Sequence, residues 1–564
     1  MMYTEDPRWE KFQKNVVGRV LGALDENKFV LLSAPTGTGK SVIGVVAASK
    51  IGTTYITSPQ VILVDQYEKA FGREMKDMGR VIKGLVHYKC AFGADNAADA
   101  PCHDKKFVFI GKDGNPSKVC PHVEECEYLL ARDEARKAGI TISTLHYFML
   151  PIRYSLLDDE EFQEVSTEED KPSRWGKRKM LIVDEAHNLP EVLIDFFTIR
   201  FTSRIFGKKL YNHLRRMAKK HELSKQELID FFKDAKVIIE KDAEIARRVA
   251  KNMQEDAAPV SFETSEGTQN MPRSKVLGFV RKQQQRLDDL HKYTSSLKMV
   301  PKWVFSSDES KEGLYWQPYE IREMIYPVFE KFDKVLLMSA TMLNPGYFAA
   351  RLGITDFKFL DVGTDFNPEN GRVYLSSAGW INKNLTDKSK MSFVHKIDSI
   401  ARRYANFKGV IHAHTYAWQK FISEHSSFDV ASRFILHSSE DRSETVKKFK
   451  EATYPAILLS VNMAEGLDLP GDDARWQIIV KSPLPYYGDP WVKAHRENDP
   501  QWHDTYVLTK IVQACGRIVR NNTDWGYTYI LDGNAINIIE KNLQTLPAWF
   551  LARLGKGYVT EVKK

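Results

Sequence analysis

No apolar run in the 564 residues approaches the roughly 20 that a bilayer-spanning helix needs, so membrane insertion is not expected. The opening stretch, MMYTEDPRWEKF, carries charges of both signs from the start and does not read as a secretory leader. Cysteine is scarce. Five residues, an odd number, are too few for the disulfide framework of a secreted protein. Four of them, Cys90, Cys102, Cys120 and Cys126, nevertheless fall within 37 residues, while Cys515 stands alone. That distribution points to a reducing, cytoplasmic setting with one cysteine-built site. Repeats at solenoid spacing are absent. A strong charge bias is also missing: 81 Lys and Arg against 74 Asp and Glu leave +7, which permits a polyanionic partner without demanding one.

What is present is the 43% hydrophobic and 27% charged composition of a globular protein, in a chain too long for one ordinary domain. Short β-branched runs recur, each followed by a loop and a helical stretch. Phe29–Ala34, Thr53–Ser58, Met180–Glu185 and Lys334–Ala340 read as buried parallel strands. A second set comprises Gly409–His414, Arg433–Ser438, Ala456–Val461, Gln477–Ser482 and Tyr527–Asp532. This alternation predicts two doubly wound α/β units.

Two stretches break the rhythm. Residues 84–138 hold the four cysteines among Gly, Asp, Asn and Pro, a composition that suits a small metal-stabilised insert. Residues 193–325 are helical in pattern: Ser224 and Glu227 form a capping box, and Leu228, Phe231, Ala235, Ile238, Ile245 and Val249 follow at helical spacing. A polar loop and a second helix capped by Ser274 are expected next. Asp158–Asp170 carries eight acidic side chains and reads as a solvated loop.

The strongest chemical signal is Ala34-Pro-Thr-Gly-Thr-Gly-Lys-Ser41, directly after the first strand. A phosphate-binding loop needs small residues so that backbone N–H groups can approach the phosphates, a lysine as point charge, and a hydroxyl for Mg²⁺. Pro35, Thr36, Gly37, Thr38 and Gly39 supply the loop, Lys40 the charge and Ser41 the hydroxyl. Ala34 stands where the general pattern has glycine. At the tip of a later strand lies Asp184-Glu185-Ala186-His187. There Asp184 suits Mg²⁺ and Glu185 suits the attacking water.

These motifs resemble those of superfamily 2 helicases, and further segments extend the likeness. Ser339-Ala340-Thr341 follows a strand as the helicase SAT motif does; Glu465–Gly471 (EGLDLPG) is similar to the EGxDxPG segment of the iron–sulfur helicases; Gln513–Arg520 (QACGRIVR) is similar to QAxGRxxR. With four cysteines between the phosphate loop and DEAH, the motif order resembles the XPD/DinG family across nearly the whole chain. The resemblance implies that Arg517 and Arg520 act as arginine fingers and that Gln513 senses the γ-phosphate or water. It implies that Gly466 and Asp468 link the nucleotide to the nucleic-acid track. His187, Ser339 and Thr341 would couple hydrolysis to domain movement. Gln13 would read the adenine.

The cysteine spacing, Cys-x11-Cys-x17-Cys-x5-Cys, lacks the paired Cys-x2-Cys knuckles of common zinc modules and the compact ferredoxin run. The resemblance implies a [4Fe–4S] cluster on all four thiolates. Zinc on the same ligands, or with His103 or His122 replacing one cysteine, stays open. Cys515 reads as an ordinary small helix residue.

The implied architecture is two RecA-like parallel-sheet motor domains. Residues 1–83, 139–192 and 326–345 make the first, with the cluster insert at 84–138 and an arch-like helical insert at 193–325; residues 346–564 make the second. The implied activity is ATP-dependent, 5′→3′ translocation on single-stranded and forked DNA by an intracellular, cytoplasmic or nucleoid-associated monomer, with RNA not excluded. An ATP-gated clamp or protein–DNA remodeller is the alternative. A fused nuclease is disfavoured, since about 30 residues precede the first strand. Candidate strand contacts are Lys83, His87, Tyr88, Lys89, Lys105, Lys106, Tyr486, Tyr487 and Trp491.

Overall fold

The computed structural model describes residues 12–71, 79–100, 102, 109–110, 115–117, 119–155, 178–252, 258–364, 366–438, 441–461, 469, 471–519 and 523–554. Strands β1 (Phe29–Ser33), β2 (Thr54–Ser58), β3 (Gly79–Ile82), β4 (Ile140–Thr144), β5 (Met180–Val183), β6 (Lys334–Ser339) and β7 (Lys358–Asp361) form one sheet. It is parallel throughout, in the order β7-β1-β6-β5-β2-β4-β3. Side chains alternate between its faces, so each face closes its own core. Phe29, Leu31, Leu181, Val183 and Leu337 enter one apolar cluster, and Val30, Leu32, Ile182 and Leu336 the other. A strand buried on both faces needs an unbroken apolar run, which is why these strands are conspicuous in the sequence.

Strands β8 (Val373–Gly379), β9 (Gly409–His412), β10 (Phe434–Leu436), β11 (Ile457–Ser460), β12 (Trp476–Ile479) and β13 (Tyr527–Asp532) form the second parallel sheet, ordered β8-β13-β12-β9-β11-β10. The two RecA-like α/β lobes are thus present. All nine strands expected from apolar runs lie in these sheets. Four further strands, β3, β4, β7 and β8, carried no such signal.

The helices that matter below are α1 (Lys14–Glu26), α2 (Lys40–Ile51), α3 (Val61–Phe71), α4 (Glu127–Lys137), α5 (Lys225–Asn252), α6 (Arg273–Met299), α7 (Pro490–Asn498) and α8 (Pro500–Cys515). Helices α5 and α6 dominate the stretch between β5 and β6, packing Phe231 and Phe232 against Leu290 and Tyr293. The capping box at the start of α5 is formed: Glu227 N–H donates to Ser224 Oγ at 3.2 Å, and Ser224 N–H to Glu227 Oε2 at 2.9 Å.

The insert is not purely helical. Ile199–Thr202, Trp303–Asp308 and Gly313–Pro318 pair as a three-stranded antiparallel sheet. Where a polar loop was expected, Val260–Thr264 and Gly267–Met271 form a hairpin; its side chains are largely polar, so no apolar alternation advertises it. Helix α6 starts at Arg273 after Pro272, which places Ser274 in its first turn rather than at its cap. Proline is well suited to the edge of a helix because its missing N–H costs nothing there.

Among the described residues, the cysteine segment joins neither sheet. Its described part is short 3₁₀ turns and a two-residue strand pair before α4. It touches the helical insert where Arg281 of α6 donates to the Asp99 carbonyl at 2.6 Å. Helices α7 and α8 follow the fifth strand of the second sheet in sequence. Even so, Trp491, Val492 and Trp502 sit in the first lobe's core with Leu193, Phe196, Met342 and Phe348, and Trp491 Nε1 donates to the Pro318 carbonyl at 2.8 Å.

Candidate active site

Strands β1, β6 and β5 are neighbours in the first sheet, and their carboxyl ends carry the phosphate loop, Ser339 and Asp184 respectively. Ligands of open parallel sheets bind at this edge, and three motifs scattered through the sequence converge on it. In the loop, Gly37 and Gly39 adopt φ of 87° and 85°, a left-handed backbone open to glycine. A Cβ on Gly39 would lie 2.3 Å from Gln13 Nε2. Gln13, itself buried, donates through Nε2 to the Thr38 carbonyl at 3.3 Å, and its Oε1 is left buried without a partner. Helix α2 then begins at Lys40 and aims its N-terminal N–H groups at the loop.

Lys40 is 8% exposed; its Nζ donates to the Ala34 carbonyl at 3.3 Å and pairs with Glu185 Oε1 at 3.5 Å. Asp184 is held on three sides. Its N–H donates to the Thr57 carbonyl at 2.8 Å, one carboxylate oxygen accepts the Glu185 N–H at 2.9 Å, and the other accepts the Tyr67 hydroxyl at 2.9 Å. Burial, reinforced by the negative charge of Glu185, pushes the Asp184 carboxyl above its ordinary range, against the opposing pull of Lys40 and Tyr67. Glu185 moves the other way: burial alone would raise it, but the positive charges of Lys40, His187 and Arg517 hold it below its ordinary range. Glu185 also takes a left-handed backbone, φ 51°, which a residue with a Cβ adopts at a cost.

A hydrogen-bonded relay runs from there across the seam. Gln513 Nε2 meets His187 Nε2. His187 Nδ1 is hydrogen-bonded to Ser339 Oγ at 2.7 Å and lies 3.4 Å from Glu185 Oε2. Ser339 Oγ also accepts the Thr341 N–H at 2.9 Å. Gln513 lies in the last turn of α8, in the second lobe, and Gly516 just beyond it packs beside Thr36 of the phosphate loop. The structure therefore gathers Lys40, Ser41, Asp184, Glu185, His187, Ser339, Thr341, Gln513 and Arg517 around one seam. Arg520, Gly466 and Asp468 lie outside the described residues, as do the acidic run Asp158–Asp170, His103, Lys105 and Lys106.

Two sets of residues escaped the sequence reading. Tyr67 contacts Asp184 across 117 positions, and nothing in its helix distinguishes it from an apolar core residue. Beneath α8, the buried Gln477 donates to the Ala514 carbonyl at 2.9 Å and to Thr528 Oγ1 at 2.8 Å, and its Oε1 accepts from His412 Nε2 at 3.1 Å. A glutamine inside a parallel strand is the available signal, because a buried amide must be satisfied.

The cysteine segment is less closed. Partial desolvation, and then the negative potential of Cys120, Cys126 and Cys90, push the Cys102 thiol up to about 11. The four sulfurs thus share one neighbourhood, and four thiols are a donor set for a soft metal. Among the described residues, however, no three Cys, His, Asp or Glu side chains converge closely enough to hold a metal ion.

The candidate strand contacts divide. Lys83 is engaged by Asp65 at 2.7 Å and Glu68 at 2.9 Å. Trp491 is a core residue, Tyr487 bonds His503 at 2.7 Å, and Tyr486 is 79% exposed. Tyr486 stands at a cleft of about 350 Å³ whose walls include His187, Thr341, Tyr347, Trp491 and Tyr506.

Comparison with known proteins agrees with the two-lobed fold. The model described as "Helicase C-terminal domain" matches residues 407–551, and "Type III restriction enzyme, res subunit" matches residues 6–238. The chain is 21% identical to the ATP-dependent DNA helicase YoaA of Haemophilus influenzae, over 93% of this chain and 91% of the relative. It is 22% identical to the ATP-dependent DNA helicase XPD of Sulfolobus acidocaldarius, over 95% and 98% respectively. A solved XPD helicase structure shares the fold with a TM-score of 0.58 at 16% identity, covering 94% of this chain and 97% of that one.

Proposed function

We infer that this XPD/DinG-like superfamily 2 chain is an ATP-dependent DNA helicase, with hydrolysis at the seam between its two lobes. The observation that carries the reading is the relay Gln513–His187–Ser339, which ties the second lobe to the residues beside the phosphate loop. Lys40 is paired with Glu185. An arriving triphosphate takes Lys40 and the loop N–H groups for itself and releases Glu185 to accept a proton from the attacking water. Ser41 and Asp184 would hold the magnesium ion, which supplies positive charge to the phosphate oxygens. Arg517 faces the same seam and offsets the charge that develops on the transferred phosphoryl group. Gln13 has an unpaired buried oxygen, an acceptor suited to the exocyclic amine of adenine.

Loss of the γ-phosphate removes the shared charge that holds the lobes together, and the seam relaxes. Coupled to a strand lying across both lobes, that cycle produces translocation, for which we propose the 5′→3′ direction, a monomeric motor and an intracellular site. Arg520, Gly466 and Asp468 are proposed to complete the site by motif position. Tyr486 beside its aromatic-walled cleft is a stacking platform for unpaired bases. We further propose that Cys90, Cys102, Cys120 and Cys126 hold an iron–sulfur cluster, on the strength of the family resemblance and the influence of the other three cysteines on Cys102.

The test is ATP turnover with and without single-stranded DNA, together with strand displacement on a 5′-tailed fork. Turnover is expected to rise with DNA and to vanish in Lys40→Ala. Turnover indifferent to DNA, or displacement of 3′-tailed forks alone, would overturn the corresponding part of the reading.

A further inference from the structure

We propose that Tyr67 is a positioning residue for the divalent cation of the nucleotide: its hydroxyl fixes the rotation of the Asp184 carboxylate. The inference rests on the nucleotide-site reading above and adds a residue that none of the motifs contains.

Tyr67 sits two-thirds of the way along α3, with Val64 and Phe71 on the same buried face, and is itself 2% exposed. Its ring packs against Phe71 with centroids 5.9 Å apart, so the side chain is held by its carbon atoms. The phenol oxygen is the polar end of this wedge. It donates its single proton to Asp184 Oδ2 at 2.9 Å and also faces the Ser41 hydroxyl. One buried phenol therefore joins the two side chains proposed to hold the cation. The other Asp184 oxygen is already fixed by the Glu185 N–H at 2.9 Å, and the Asp184 backbone by Thr57 at 2.8 Å. Without Tyr67, the Glu185 N–H bond alone is left of these two to oppose rotation of the carboxylate plane. A metal-binding carboxylate is oriented by its outer hydrogen bonds, and loss of such a partner typically costs ten- to a hundredfold in metal affinity. A purely structural tyrosine would be satisfied by any buried acceptor. This one shares the acceptor, and the hydroxyl beside it, with the cation.

The experiment compares the full-length protein with Tyr67→Phe, which keeps every ring carbon and removes the donor. Equilibrium binding of a fluorescent, non-hydrolysable ATP analogue is measured with no divalent cation and across a Mg²⁺ titration, with Tm recorded for each apo protein. The expected result is unchanged cation-free affinity and a half-saturating Mg²⁺ concentration raised about tenfold. In an Asp184→Asn background, Tyr67→Phe should shift the Mg²⁺ titration no further. Tyr67→Met, which has no donor, serves as the second variant should the phenylalanine protein be unstable. A lowered Tm with an unaltered Mg²⁺ titration would make Tyr67 a packing residue and overturn the proposal. If the parent protein does not bind the analogue at all, the nucleotide-site reading fails with it; if the parent binds but is indifferent to Mg²⁺, or depends on Mg²⁺ and both variants match it, this inference alone fails.

Discussion

Substituting Glu185→Gln should move two observables in opposite directions. In the structure Glu185 Oε1 lies 3.5 Å from Lys40 Nζ, and the two side chains are 23% and 8% exposed. At an effective dielectric near 20, such a pair attracts by about 5 kcal/mol. Desolvation offsets much of that, as it does for other poorly solvated ion pairs. Glu185 also retains His187 at 3.4 Å and the charge of Arg517 when Lys40 leaves it. A net penalty of about 1–2 kcal/mol on nucleotide binding is a reasonable remainder, equivalent to roughly five- to thirtyfold in Kd. The amide removes that competition along with the negative charge facing the triphosphate, so ATP should bind about tenfold more tightly. Turnover should fall by about 10²–10⁴, since the group that accepts the water proton is gone. The left-handed backbone at φ 51° is as demanding of glutamine as of glutamate, so the comparison isolates charge. Fluorescent-nucleotide binding and single-turnover hydrolysis read the two effects. Equal or weaker affinity in a folded Glu185→Gln protein would refute the argument that Lys40 is held in reserve by its neighbour.

Gln477→Leu should lower stability by about 2–4 kcal/mol, because it strands the Ala514 carbonyl, the Thr528 hydroxyl and His412 in a buried setting. In that variant kcat should suffer more than the KM for ATP, since the freed carbonyl lies between Gln513 and Arg517; thermal unfolding and steady-state kinetics check both. Native alkylation at pH 8 should spare Cys515, whose thiol is buried and pushed up to about 12 by that burial. Removing iron with a chelator and reductant should expose the other four cysteines to the reagent, whereas labelling of Cys515 before unfolding would contradict its placement. Anaerobically purified protein should be brown, and a colourless protein containing zinc would replace the cluster assignment.

How far the sequence could be read follows from burial. Central strands such as Met180–Val183 are apolar on both faces and announce themselves. The two edge strands of the first sheet do not: Lys358–Asp361 and Gly79–Ile82 are partly exposed, and their charged residues mask them. Ile140–Thr144 is fully buried yet hidden by its hydroxyls, one of which, Thr141 Oγ1, is satisfied by the Ala135 carbonyl at 2.7 Å. The phosphate loop and DEAH were legible because their chemistry is local. The contact of Tyr67 with Asp184, and the anchoring of α8 by Gln477, depend on partners far away in sequence. Periodicity carries no information about them.

The aromatic anchor formed by Trp491 and Trp502 limits how the machine can be dismantled. A fragment ending near residue 364, just past β7, would leave an oily socket, and the complementary fragment would display the two indoles that fill it. Each half should therefore be sticky by itself, and mixing them should restore solubility before it restores ATP turnover.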